Sequence, residues 1–201
     1  RIGKDAAGRG VDSGAIARQL HDAGDVSEIR VSINSVGGLA DDGFVIHDLL
    51  KDHPANVTVR IEGLAASAAS LIAMAGDTVE MPADARIVLH NPTTDVDGDE
   101  QAHLTAAEFL RTVKAKGVGI YQAKSGQSAD QLDALMDAET WLTAADAHEK
   151  GFCDRVIQEP ATQAAFNLVP FNRVPAAVLS LAMPAPNLGN ATAMLAKESP
   201  R

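Results

Sequence analysis

Two short apolar runs, residues 29–34 (IRVSIN) and 57–62 (VTVRIE), each break into glycine and small side chains before a helical pattern begins. That rhythm constrains the chain strongly. A strand that gives way to a helix must cross over before the next strand pairs with it, which builds βαβ units and a sheet covered on both faces. Further strands are expected at 78–81, 86–89 and 155–158. Helices are expected from a cap at Asp12 or Ser13, with Ile16, Ala17 and Leu20 on one face. Others should cover 44–51, with Pro54 close behind as a stop, and 65–75. Residues 104–123 read as a long amphipathic helix interrupted at Gly117 and Gly119, followed by short helices at 129–136 and 144–150. The fold class is therefore α/β, and no repeat of solenoid period occurs. With 36 alanines and only seven aromatic residues, the core must be built from small aliphatic side chains packed closely.

A length of 201 residues suits one domain with an appendage, and 46% hydrophobic against 22% charged residues is too apolar for wholesale disorder. The formal charge of −10 argues against nucleic acid as the main partner, because phosphate binding needs a basic surface. A single cysteine, Cys153, excludes an internal disulfide and a Cys-only zinc site, and fits a reducing cytoplasm. No apolar run approaches the roughly 18–20 residues that span a bilayer, so no membrane partner is expected. No signal peptide opens the chain. It begins at Arg1 rather than Met, from which a missing or processed upstream segment is expected.

Charge also draws a boundary. Residues 1–159 hold 14 basic and 26 acidic side chains, a net of −12, whereas residues 160–201 hold three basic and one acidic, a net of +2. The second segment carries six of the nine prolines, too many for a long helix or a central strand. Phe166, Leu168, Val169, Phe171 and Val174 nevertheless make it more apolar than a plain linker. It reads either as an extended arm that packs on a neighbour or partner, or as a disordered terminus.

Two junctions could carry chemistry. Gly37 and Gly38 follow the first strand, where a glycine pair lets the backbone approach a ligand or simply makes a tight turn. Residues 63–70 (GLAASAAS) follow the second. Small residues around a serine there leave the hydroxyl accessible and aim free N–H groups at whatever binds. Close packing of an alanine-rich helix, with Ser67 and Ser70 merely capping, explains the same residues unless a base is near. The base candidate is His90, which ends an apolar strand in IVLHNP. His21, His47, His53, His103 and His148 fall on helix surfaces or loops, and no pair has the spacing of a helical zinc site, so neither metal nor cofactor is expected.

INSVGG, GLAASAAS, RIVLHNP, SGQSADQL and ETWLTAADAHEKGFCD, in that order from Ile29 to Val156, resemble the Clp protease proteolytic subunit family, ClpP. The resemblance implies a ClpP/crotonase-like spiral of ββα units with a handle helix inserted, and a serine-type endopeptidase. It implies Ser67 as nucleophile, His90 as base, and the Gly38 and Ala68 N–H groups as the substrate-binding oxyanion hole. The triad acid aligns with Glu139, with Asp137 as runner-up. Val36 stands where the family's turn has proline. The handle implies a homo-oligomeric ring, with protein or peptide substrates.

The ETW block and the arm look most like the ClpP-related proteases of phage head maturation. From that likeness the expectation is processing of scaffold or capsid proteins, in the host cytoplasm or inside a prohead. Three alternatives remain: a housekeeping ClpP working with an ATPase unfoldase, a crotonase-like acyl-CoA enzyme, and an inactive structural subunit.

Overall fold

A computed structural model describes residues 1–5, 7–161, 168 and 171–176. In chain order the elements are α1 (Ser13–Ala23), β1 (Glu28–Ser35), α2 (Ala40–Lys51), β2 (Asn56–Ala66), α3 (Ala68–Ala73), β3 (Thr78–Pro82) and β4 (Arg86–Leu89). They continue with α4 (Glu100–Ser125), α5 (Ala129–Asp137), β5 (Thr140–Thr143), α6 (Ala144–Glu149) and β6 (Arg155–Ile157). Asp12 caps α1, its carboxylate accepting the Ala15 N–H at 2.7 Å. Ser128 with Gln131, and Thr143 with Asp146, form reciprocal capping boxes on α5 and α6.

Strand β2 organises the sheet. Its first half pairs in parallel with β1 (Ile29↔Val57 to Ile33↔Ile61) and with β3 (Thr58↔Thr78 to Arg60↔Glu80). Its last residues pair with β4 (Leu64↔Arg86 to Ala66↔Val88), so β3 and β4 follow one another along one edge and the sheet curls. β6 extends β3 in parallel, and β5 closes the other end antiparallel to β4. The ladder between β1 and β2 slips between Ile33 and Ser35, where Asn34 Oδ1 accepts the Leu64 N–H at 3.1 Å.

Three expectations change. The sequence predicts the third helix from residue 65, but β2 runs through Ala66 and α3 begins only at Ala68. Alanine favours helix locally, yet pairing with β4 supplies the backbone partners that decide the conformation. Helix α4 is continuous across Gly117 and Gly119. Each glycine costs a helix about 1 kcal/mol, and burial of Val113, Val118, Ile120 and Tyr121 on one face outweighs that. Strand β5 has no strand signal in the sequence and forms by pairing with β4.

The core is built from small residues where elements cross. Ala65, Ala66, Ala69, Ala73, Ala85, Ala144 and Ala147 are fully buried beside Ile61, Leu64, Ile87 and Phe152. Leu168 and Phe171 are also buried, in a second cluster with Leu64, Ala66 and Val88. The described part of the arm thus packs on its own body. Phe166, Val169, Pro170, Pro184, Pro186 and Pro200 lie outside the described residues. Cys153 is buried, its thiol facing the Arg155 carbonyl at 3.2 Å and the Val79 carbonyl at 3.5 Å. Burial pushes its pKa up to about 11. Among the described residues, no helix is long and apolar enough to cross a membrane, and no group of His, Cys, Asp and Glu could hold a metal ion.

Candidate active site

The strand ladders bring three sequence-distant residues to one place. Ala66 pairs with Val88, and the Ser67 N–H donates to the Val88 carbonyl at 3.3 Å, which sets Ser67 beside the end of β4. On the other side Val88 pairs with Trp141 and Leu89 with Thr140, so the next step of that antiparallel ladder leaves His90 opposite Glu139. Ser67 and His90 line one cavity of about 40 Å³, closed by Ala40, Leu71, Pro92 and Met136.

Ser67 sits on a sharp turn from β2 into α3 with φ 55° and ψ −131°. An L-residue holds such a conformation only where its surroundings enforce it, and a strained strand-to-helix turn is how a nucleophilic serine is presented clear of its backbone. The enforcement is visible. The Ser67 carbonyl accepts the Ser70 N–H at 2.9 Å and the Ser70 hydroxyl at 2.6 Å. Ser70 Oγ lies 2.7 Å from the Tyr121 hydroxyl. Ser70 is fully buried, so its role is to anchor the turn, whereas Ser67 is half-buried and faces the cavity.

Gly37 has φ 91°, and a Cβ there would stand 2.5 Å from the Ala66 carbonyl oxygen and 2.7 Å from the Ser67 Cβ. Gly38 has φ 155°, and a Cβ would strike the Ile2 carbonyl oxygen at 1.9 Å. Both positions require glycine. The turn is held by the Gly37 N–H to Ser35 Oγ at 3.1 Å and by Ile2, which bonds the Gly37 carbonyl and the Leu39 N–H. The N–H groups of Gly38 and Ala68 find no hydrogen-bond partner among the described residues and remain free to donate.

His90 is largely withdrawn from water, and that burial lowers its pKa, with partial opposition from the negative charge of Glu139. The imidazole is therefore neutral at neutral pH. Glu139 is buried and sits at φ 49°. Burial alone would raise its pKa; the Asn172 and Arg173 N–H groups, the Trp141 indole and His90 together outweigh this and hold it low. Asp137 is turned away, bonding Lys114 and Asn91 at 2.8 Å each. Among the described residues, no hydrogen bond joins Ser67 to His90 or His90 to Glu139. Both Glu139 oxygens instead accept from the arm: Oε1 from the Arg173 N–H at 2.6 Å and Oε2 from the Asn172 N–H at 2.7 Å. Phe171 meets the His90 ring edge-on at 5.2 Å. Sequence reading missed these arm contacts, the Ser70–Tyr121 pair and Trp141. The one signal for the arm was its excess of apolar residues.

A family model described as Clp protease matches residues 15–160. The ATP-dependent Clp protease proteolytic subunit 2 of Mycolicibacterium paratuberculosis is 31% identical over 137 residues, covering 67% of this chain and 69% of that protein. Proteolytic subunit 1 of Corynebacterium jeikeium is 33% identical over 132 residues, covering 65% and 70%. Among solved structures, a ClpP1 mutant from Listeria monocytogenes superposes with a TM-score of 0.66 at 23% identity, over 73% of this chain and 84% of that one. That likeness shows a ClpP-like fold, and the family match sets aside the acyl-CoA reading. This chain belongs to the Clp protease family, the ClpP-type serine peptidases.

Proposed function

We propose that the protein is a serine endopeptidase in which Ser67, His90 and Glu139 form the triad. The observation that carries this is Ser67 held at φ 55° on a turn that opens into the cavity it shares with His90. Ser67 Oγ attacks a peptide carbonyl carbon while neutral His90 takes the hydroxyl proton, and His90 then gives that proton to the leaving amine. Ionised Glu139 orients the imidazole and stabilises its charged form. The Gly38 and Ala68 N–H groups receive the oxyanion; loss of one such donor typically costs about 2.7–4 kcal/mol. Water then hydrolyses the acyl-enzyme by the same route in reverse.

The substrates are protein chains and the working form is a homo-oligomeric ring. The setting is processing of scaffold or capsid proteins in phage head maturation, a reading that rests on the ETW block and the arm. A second reading is favoured by the relatives, which are named as subunits of an ATP-dependent protease: a proteolytic subunit partnered with an ATPase. A serine-directed fluorophosphonate should label Ser67, with the adduct abolished in Ser67→Ala; an adduct on Ser70 would overturn the nucleophile assignment. Cleavage of a scaffold protein by the isolated enzyme, without ATP, supports the processing role. Cleavage of unfolded protein only when an ATPase is added supports the second.

A further inference from the structure

The strands that deliver the site residues also build a pocket on its far side. Leu64 and Ala66 precede Ser67 on β2, Val88 precedes His90 on β4, Trp141 follows Glu139 on β5, and Val36 lies in the glycine turn. Phe171 fills that pocket, edge-on to Trp141 at 5.3 Å as well as to His90. Leu168 is buried in the same cluster, and Val174 packs against it. The next two residues present consecutive backbone N–H groups to the two oxygens of Glu139, and Asn172 Nδ2 and Trp141 Nε1 complete the shell at 3.5 and 3.4 Å.

We propose that this groove is a regulatory peptide site for an extended segment with an aromatic side chain followed by two free backbone N–H groups. Its occupant is the chain's own arm, which holds Glu139 off His90 and keeps the protease idle. The proposal rests on the reading of Glu139 as the triad acid. In a working triad the acid must accept from the imidazole; here its short bonds come from the arm, and the Phe171 ring packs T-shaped with the His90 ring. None of the arm's described residues lines the Ser67 cavity, which Leu71, Pro92 and Met136 help to enclose. The strap therefore acts on the acid and leaves the nucleophile reachable by small reagents. The Arg173 side chain adds a clasp, its guanidinium donating to the Ala138 carbonyl at 2.7 Å.

The test uses the full chain with Phe171→Ala, and separately with Asn172→Pro and Arg173→Pro together, which deletes both N–H donors. Release is read from emission of Trp141, the sole tryptophan, and function from the rate of fluorophosphonate labelling at Ser67. Losing the orienting acid costs a triad up to about 10⁴-fold, so freeing Glu139 should speed labelling by about tenfold or more. A synthetic peptide with the sequence of residues 168–176, added to Phe171→Ala, should slow labelling again, and its Phe-to-Ala counterpart should not. Labelling that is equal or slower in both variants, or unaltered Trp141 emission, would overturn the strap. Labelling absent at Ser67 in every form would overturn the nucleophile assignment instead, and the strap with it.

Discussion

Ser67 and Glu139 are the two non-glycine residues held at positive φ among the described residues, and the glycine turn is pressed against the first of them. That contact makes Gly37 a sharper probe than its neighbours. Gly37→Ala must either move the Ser67 turn or adopt a costly φ, a strain of about 1–3 kcal/mol. We expect labelling at Ser67 to drop at least about tenfold with a lower urea midpoint. Gly119→Ala is the control, since no described residue lies within 4 Å of its Cβ position on α4; there stability should rise by about 0.5–1 kcal/mol. The acid assignment is tested by pH. Burial lowers the His90 pKa, so activity should rise through an acid limb placed below the ordinary imidazole value of about 6.5. Glu139 is the charge that raises it, so in the released Phe171→Ala chain Glu139→Gln should cut turnover and move that limb to still lower pH. Asp137→Asn should change neither, because Asp137 is paired with Lys114 and Asn91; the reverse pattern in kcat/KM profiles would transfer the role.

At the level of elements, α4 is tied to the Ser67 turn through a buried polar contact. The Tyr121 hydroxyl meets Ser70, and Ser70 holds the Ser67 carbonyl. Desolvation pushes the phenol pKa up to about 12, so it stays a neutral hydrogen-bonding group. Tyr121→Phe keeps the ring edge on Phe152 but leaves a buried serine with one partner fewer. The expected loss is about 1 kcal/mol by urea unfolding, together with slower Ser67 labelling. Most elements were legible in the sequence because β1, the first half of β2, and α1 carry their own periodicity and caps. The end of β2 and all of β5 were not. Residues 64–66 are strand because Arg86, Ile87 and Val88 lie on one side and Ser35 pairs with Ala65 on the other, and four-residue β5 has no pattern apart from its partner. Ser67 and His90 stood out because small residues and a strand-ending histidine are local features. The partners of Glu139 were hidden, since they are backbone groups more than thirty residues away.

Across the whole molecule, the long helix leaves apolar surface that its own body does not cover. Leu104 and Phe109 are about half exposed near the start of α4, with Val96 exposed in the preceding loop. A ring-forming subunit would bury them against a second copy, and paired Leu104→Glu and Phe109→Glu should reduce the assembled mass seen by light scattering without unfolding the subunit. Leu64, Ala66 and Val88, by contrast, are covered by Leu168 and Phe171 of the arm. The quiet behaviour of Cys153 has a practical reach here. A thiol this deeply buried, with a pKa near 11, is almost wholly protonated at neutral pH and reacts poorly with alkylating dyes. A cysteine introduced anywhere on the surface would consequently be the one site to take up a maleimide fluorophore, giving a background-free handle for watching assembly and strap release in the intact chain.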